Sequence, residues 1–328
     1  MTKSLGLVKG LPAVSGMLES GAIRFTIFTP TYNRRATLER VFSSLEAQTF
    51  PHDQFEWLVI DDGSSDGTDE YIRECTEKAD FPVRYIWQEN GGKHRAWNSG
   101  VDHARGELFL FFDSDDRCVD DALARIWHRW DCVADDEKGR VAGVLTRCKY
   151  PDGKPVGPPL RGAGRADLAE LLLVHRFGGE TWMAIRTSVV REYKFPFGPK
   201  GKLLPEVTLW HLISKHYPWE ILEEPLRIYY AGDEGSPDQL SNLRKLSELA
   251  PGLVLSYASL FDNSWRFFSR ALAMFARSAV HLSRFSLHAR TSPFRQIAAL
   301  REPGARLLCS VLAPVGVATY GFDKLRKR

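Results

Sequence analysis

The stretch that most constrains this chain is residues 106–117, Gly-Glu-Leu-Phe-Leu-Phe-Phe-Asp-Ser-Asp-Asp-Arg. Five apolar residues, Leu108 to Phe112, run straight into Asp113, Asp115 and Asp116. A short continuous apolar run rich in aromatics suits a strand covered on both faces of a sheet. A carboxylate inside such a sheet would be costly unless paired or metal-bound. The acids are therefore expected just beyond the strand's carboxyl end, where open α/β sheets bind ligands. One residue separates Asp113 from Asp115, so in a loop both carboxylates can turn toward one hard cation. Asp and Ser are also ordinary turn formers. Taken alone, the stretch fits a polar turn as well as a cation site.

The same punctuation occurs twice upstream. A strand expected at Phe25–Thr29 is broken by Pro30-Thr31-Tyr32-Asn33, and one expected at Glu56–Ile60 ends in Asp61-Asp62-Gly63-Ser64-Ser65-Asp66-Gly67-Thr68. Between them Leu38, Val41, Phe42 and Leu45 recur at helical spacing. Thr68 or Asp66 is expected to cap a helix beginning near Asp69. A third strand is predicted at Val83–Trp87, then a loop at Asn90-Gly91-Gly92-Lys93-His94 and a helix over Ala96–Ala104. Alternating strands and helices predict an α/β fold with a mostly parallel central sheet flanked by helices. In a parallel sheet the strand carboxyl ends share one edge, so the clusters at 30–33, 61–66 and 113–116 should share a crevice.

A further strand is expected at Val141–Tyr150. It is followed by the turn Pro151-Asp152-Gly153-Lys154, a Pro/Gly-rich loop at 155–164 and a short helix at Asp167–His175, after which Gly178-Gly179-Glu180-Thr181 leads into Trp182–Arg186. Leu204-Pro205-Glu206-Val207 precedes a helical stretch, Thr208–Lys215, which puts Glu206 near the positive end of a helix dipole. The organisation predicted is a lead-in over 1–22, a catalytic domain over 23–240 and a helical, basic extension over 241–328.

Charge supports that last boundary. Residues 241–328 carry 14 Lys+Arg against 4 Asp+Glu, leaving 30 against 37 in the first 240. A basic tail on a near-neutral body suits an acidic partner such as a membrane surface. Trp265–Arg277, with arginines at 266, 270, 277 and 284 and Phe267, Phe268, Leu272 and Phe275 between, is expected to be helical. It reads either as an amphipathic helix lying on anionic lipid or as a helix packed on the protein. Lys324, Arg326, Lys327 and Arg328 would add to the attraction. Leu307–Tyr320 contains Pro314 and Gly316 and is expected to be too short to span a bilayer. The five cysteines are odd in number and show no two-residue pairing, as in a reduced, cytosolic protein. No signal peptide is expected in Met1–Gly21. No nucleic-acid reading motif is found.

Taken together, Thr29-Pro30-Thr31-Tyr32-Asn33-Arg34, Val59–Thr68, Asn98-Ser99-Gly100 through Glu107, and Asp113-Ser114-Asp115-Asp116 resemble a family 2 glycosyltransferase of the GT-A fold, in order and spacing, over roughly residues 23–230. The resemblance implies a hexosyltransferase-type enzyme that moves a sugar from a nucleotide-sugar, by resemblance a UDP-sugar, to an acceptor hydroxyl with inversion. It implies work on cell-surface polysaccharide or glycolipid, with a carbohydrate or lipid-linked acceptor. With the cysteine pattern and the basic tail, a lipid-linked acceptor would suit a cytoplasmic enzyme resting peripherally on the inner face of the membrane. Pro30, Tyr32 and Asp62 would line the nucleoside pocket, joined on the donor by Lys93, Asp113 and Ser114. Asp113 and Asp115 would be the DXD pair holding Mn²⁺ or Mg²⁺, with Asp116 a second candidate ligand. Glu180 and Trp182 would be candidates for facing the acceptor, with Trp182 reading equally as a core ring.

The base implied is Glu206, with Glu180 and His211 as runners-up. Many members carry two adjacent acids at that position, whereas here one acid lies between Pro205 and Val207. Asp233-Glu234, with Arg227 nearby, belongs to a late loop able to close over the donor. Two competitors stand beside this reading. A sugar-phosphate nucleotidyltransferase would want a Gly-rich loop after the first strand, which Thr29–Asn33 lacks. A catalytically inactive nucleotide-sugar-binding homologue would keep the same acids.

Overall fold

The computed structural model describes residues 22–160, 164–196, 204–230 and 246–325. The lead-in, the Asp233-Glu234 loop, part of the loop at 155–164, and Arg326, Lys327 and Arg328 lie outside the described residues. In chain order the elements are β1 (Phe25–Thr31), α1 (Arg35–Glu46), β2 (Phe55–Asp61), α2 (Thr68–Lys78), β3 (Val83–Trp87), α3 (Lys93–His103), β4 (Leu108–Phe111), β5 (Arg117–Cys118), α4 (Ala122–Asp131), α5 (Asp135–Lys138) and β6 (Gly143–Lys149). They continue with β7 (Arg165–Ala166), α6 (Leu168–Leu173), β8 (Thr181–Arg186), α7 (Thr187–Glu192), α8 (Val207–Ile213), β9 (Trp219–Ile228), α9 (Leu246–Ser264), α10 (Leu272–His288), α11 (Pro293–Ala299) and α12 (Pro303–Leu325). These fall into two compact units. The first takes residues up to 160, 179–194 and 220–234; the second takes 161–178, 195–219 and 235 onward.

The first unit is built on a sheet with strand order β3-β2-β1-β4-β8-β6-β9-β5. β1 to β4 are parallel, with Phe25 opposite Phe55 and Leu108, as the alternating pattern predicts. β8 runs antiparallel to β4 and β6, so the sheet is mixed in its second half. Every residue of β2 and β4 is buried, which is why β4 reads as an unbroken apolar run and β2 carries the run Trp57-Leu58-Val59-Ile60. The tight approach of the chain entering β4 depends on Gly106, where an added Cβ would lie 2.3 Å from the Thr26 amide nitrogen. Thr26 Oγ1 accepts from the amides of Arg105 and Gly106 and donates to the buried Glu56 at 2.6 Å.

Two local expectations are corrected. α3 begins at Lys93, so Lys93 and His94 form a helical first turn rather than a loop; the turn into it is made by Gly92 at φ 90. The N-cap of α2 is Gly67, left-handed at φ 82, with no side-chain cap. Asp66 turns the other way, accepting from the Arg35 amide at 3.0 Å and the Thr68 hydroxyl at 2.6 Å.

The second unit is helical around a core of Val254, Phe261, Phe267, Phe275, Leu282, Ile297 and Cys309, among others. Trp265–Arg270 is a 3₁₀ turn, and a regular helix starts only at Leu272. Phe267 and Phe275 are buried, while Arg266 pairs with Asp167 and Arg270 with Glu170, both at 2.6 Å. Of the two readings of Trp265–Arg277, packing on the protein is the one that Phe267 and Phe275 follow, while these arginines meet carboxylates. Leu307–Tyr320 also differs from expectation. Pro314 and Gly316 sit within one continuous 23-residue helix, α12.

Candidate active site

The carboxyl ends of β1, β2 and β4 form one edge, as parallel pairing requires. At the end of β2, Asp61 and Asp62 are both buried. Asp61 accepts from the Ser64 amide at 2.8 Å and the Tyr85 hydroxyl at 2.6 Å. Burial and this bond push the Tyr85 phenol well above its ordinary range. Asp62 accepts from Gln88 Nε2 at 2.7 Å and from the amides of Gly91 and Gly92 at 3.0 and 2.7 Å. The Asp62 carboxylate thus ties the 88–92 segment to the end of β2. Three of its roughly four acceptor sites are used.

The acids after β4 are met by cations instead. Lys93 Nζ reaches Asp113 Oδ1 at 2.8 Å, and Arg227 Nη1 reaches Asp113 Oδ2 at 3.3 Å. Arg34 Nη1 lies 3.3 Å from Asp115 Oδ2, and Arg40 Nη1 donates to the Asp115 carbonyl at 3.1 Å. Asp116 is 1% exposed, accepts from the Tyr230 amide at 3.0 Å and lies 3.3 Å from Arg227 Nε. Arg227 Nη2 also lies 3.6 Å from Glu180. One buried guanidinium on β9 therefore links Asp113, Asp116 and Glu180.

These surroundings split the three acids. Burial raises the Asp113 carboxyl, but Lys93 and Arg227 outweigh it and hold it below its ordinary value. Asp115 is pushed up by burial and by Asp113, against Arg34 and Lys93. Asp116 is pushed up to about 7, chiefly by burial, with Asp113 opposing the help of Arg227.

Other expected site residues fall as follows. Pro30 lies in β1, and Tyr32 is 38% exposed just past it. Ser114 is buried between the acids. His94 is buried with Nδ1 lacking a protein partner, and burial lowers its pKa. Trp182 is corrected as an acceptor platform. It is 1% exposed, donates its indole N–H to the Phe111 carbonyl at 2.5 Å and packs on Phe112. A ring so enclosed has no face free for a sugar.

Glu206 lies in the second unit, immediately before α8 and without a capping bond from its side chain. His211 in α8 is corrected as a base candidate. It is buried, bonds Ser264 Oγ at 2.9 Å, and burial pulls its pKa down to about 4.

Arg227, Arg34 and Gln88 were assigned no role from sequence. Arg227 carried the clearest signal, an arginine set between the apolar Leu226 and Ile228.

A hard divalent cation fits this chemistry. The oxygen ligands of Asp113 and Asp115 come from one short loop, and the ionised form of Asp115 lacks stabilisation that an added cation would supply. Among the described residues no three His, Cys, Asp or Glu converge into a complete metal cage. The remaining ligands would therefore come from water and substrate oxygens, the usual arrangement for Mg²⁺.

Residues 26–193 match the family model for glycosyl transferase family 2. Among curated proteins, the chain is 27% identical over 212 residues to the GalNAc(5)-diNAcBac-PP-undecaprenol beta-1,3-glucosyltransferase of Campylobacter jejuni, covering 63% of this chain and 64% of that one. It is 34% identical over 94 residues to the poly(ribitol-phosphate) beta-N-acetylglucosaminyltransferase TarS of Staphylococcus aureus, covering 29% of this chain and 16% of TarS. Both matches span less than two thirds of the relative's length. The crystal structure of S. aureus TarS 1-349 in complex with UDP-GlcNAc superposes with a TM-score of 0.61 at 19% identity, covering 90% of this chain and 89% of that one. At that identity the likeness concerns the fold, which is GT-A.

Proposed function

The chain belongs to glycosyl transferase family 2, and from that membership we propose that it transfers a sugar from a UDP-sugar to an acceptor hydroxyl on a cell-surface glycan, inverting the anomeric carbon. The observation that carries this reading is the acid loop after β4. Its Asp115 is under-stabilised while Asp113 is held ionised by Lys93 and Arg227, beside the finished turn at Asp61 and Asp62. The donor's nucleoside would lie against Pro30 and Tyr32, with the remaining acceptor site of Asp62 toward the base. Lys93, Arg34 and Arg227 are cations close to where the diphosphate would lie. Asp113 and Asp115 would hold Mn²⁺ or Mg²⁺, whose chemistry is Lewis-acid neutralisation of the departing diphosphate.

UDP as the nucleotide draws support from TarS, solved with UDP and with UDP-GlcNAc. A polymeric or lipid-linked acceptor draws support from the names of the Campylobacter enzyme and of TarS. A lipid-linked acceptor would place the enzyme peripherally on the cytoplasmic face of the membrane.

The base that takes the acceptor proton is Glu206, a carboxylate at a helix start in a region expected to face the acceptor. A second reading is favoured by one contact: Glu180 shares Arg227 with Asp113 and Asp116, which ties it to the donor acids. Glu206→Gln and Glu180→Gln separate the two, since the base variant loses turnover about 10²–10⁴-fold with UDP affinity retained.

The test of the reading as a whole is calorimetric titration of the protein with UDP, GDP and dTDP, with and without Mn²⁺. UDP binding that requires the metal is expected. Failure of all three nucleotides under both conditions would overturn the reading.

A further inference from the structure

α12 presents two unlike sides. Ala305, Cys309, Ala313 and Gly316 face inward, and an added Cβ at Gly316 would lie 2.6 Å from Ser283 Cβ and the Val280 carbonyl of α10. The other side is open: Leu307 is 69% exposed, Val311 65%, Phe322 67% and Leu325 66%, with Val315 and Val317 about half exposed. At about 100° per residue, these residues with Ser310, Pro314, Ala318 and Gly321 span about 160° of the helix circumference. Ser310 is the only polar side chain in that arc. Exposed Arg306 and Lys324 both fall on one edge of it, 18 residues apart.

The acid of α12 points away. Asp323 accepts two bonds from Arg284, at 2.6 and 2.7 Å, and lies 2.8 Å from His288 Nε2 on α10. The open side is thus a wide apolar stripe edged by positive charge, with no carboxylate on it. A soluble chain rarely leaves so continuous a stripe in water unless something covers it.

We propose that this face of α12 seats on an anionic lipid bilayer, with the helix lying in the plane of the surface. The proposal deepens the peripheral-membrane part of the reading above. Apolar side chains enter the acyl boundary while Arg306 and Lys324 remain at the headgroups. By length and composition α12 is the one helix among the described residues able to cross a membrane. Its packing argues for lying flat, because crossing would carry the closely joined α10, with Arg277, His281, Arg284 and His288, into the bilayer. A second copy of the chain fits less well. A two-fold pairing of this face with itself brings no acid to either basic edge.

Sedimentation of the full chain with phosphatidylcholine vesicles, plain or mixed with phosphatidylglycerol, tests this without any sugar substrate, so its failure is separable from failure of the catalytic reading. Preference for the anionic vesicles is expected. Val311→Glu/Val315→Glu should lower binding at least about tenfold, and Lys324→Glu several-fold on anionic vesicles only. Should the double glutamate variant not fold, Leu307→Gln/Phe322→Gln addresses the same face. Wild-type protein that ignores both vesicles overturns the proposal, as does undiminished binding by the folded face variants. A lipid-free dimer in light scattering that Val311→Glu/Val315→Glu converts to monomer assigns the face to a second copy, and also overturns it.

Discussion

Two acidic turns lie on the same edge of one sheet, and they are closed in opposite ways. Asp61 and Asp62 after β2 are satisfied by backbone amides, a tyrosine hydroxyl and a glutamine amide. Asp113, Asp115 and Asp116 after β4 are met mainly by Lys93, Arg34 and Arg227. Fixed dipoles at bonding distance complete a carboxylate and make a rigid corner. Shared cations 3.3 Å away leave Asp115 and Asp116 short of stabilisation. The first turn is nearly complete architecture, with one acceptor site of Asp62 left, while the second retains capacity for a ligand that brings positive charge. Changes at the first should act on stability, and changes at the second on binding.

The largest effect is expected at Asp115. Asp115→Ala should lower turnover about 10²–10³-fold, the scale of losing one stabiliser of the leaving charge. Its melting temperature should hold or rise, because Asp113 loses a like-charged neighbour. Steady-state rates with a UDP-sugar beside a thermal melt read both quantities. A variant that unfolds early while keeping its rate would break the comparison.

Asp62→Ala should do the reverse first. Three hydrogen bonds to a buried carboxylate disappear, which should cost about 2–4 kcal/mol in urea unfolding. Nucleotide affinity would fall as well, since the 88–92 segment that leads into Lys93 loses its anchor. Unchanged stability would show that the β2 turn is no more finished than the β4 turn.

How much of this was legible beforehand follows from the range of each interaction. β1 to β4 and their polar ends could be read because a buried strand and the turn that ends it are local signals. Arg227 could not, because its partners Asp113 and Asp116 lie more than 100 residues away and only folding brings them together. Trp182 and Phe267 were ambiguous for a related reason. An aromatic ring in a sequence does not declare whether core, sugar or lipid will cover it, and both proved to be core. The glycines before α3 suggested a loop where one left-handed residue, Gly92, sufficed. Pro314 sits within α12, on its open side.

His211 extends the comparison to the helical unit as another buried titratable group closed by a neutral partner, Ser264. Its folded pKa, about 4, lies below the ordinary value of 6.5. The unfolded chain therefore takes up a proton first as pH falls. Stability from this site is full above about pH 6.5 and is lost progressively down to about 4, by up to about 3 kcal/mol. Melting temperatures between pH 8 and 5 should drop less steeply in His211→Gln than in the parent. Turnover at pH 8 should match, an outcome that a catalytic His211 could not give.

The smallest effect separates architecture from chemistry one residue from the acids' strand. Trp182 donates to the carbonyl of Phe111, the last residue of β4, and so helps fix where the acid loop begins. Trp182→Phe keeps an aromatic ring against Phe112 and deletes that donor, leaving a buried carbonyl unpaired and a small void. A loss of about 1–2 kcal/mol is expected. KM for the acceptor should not change, because no face of the indole reaches solvent. A rise in acceptor KM at unchanged stability would return Trp182 to the acceptor site, and would mean that the chain beside β4 opens in solution more than its packing indicates.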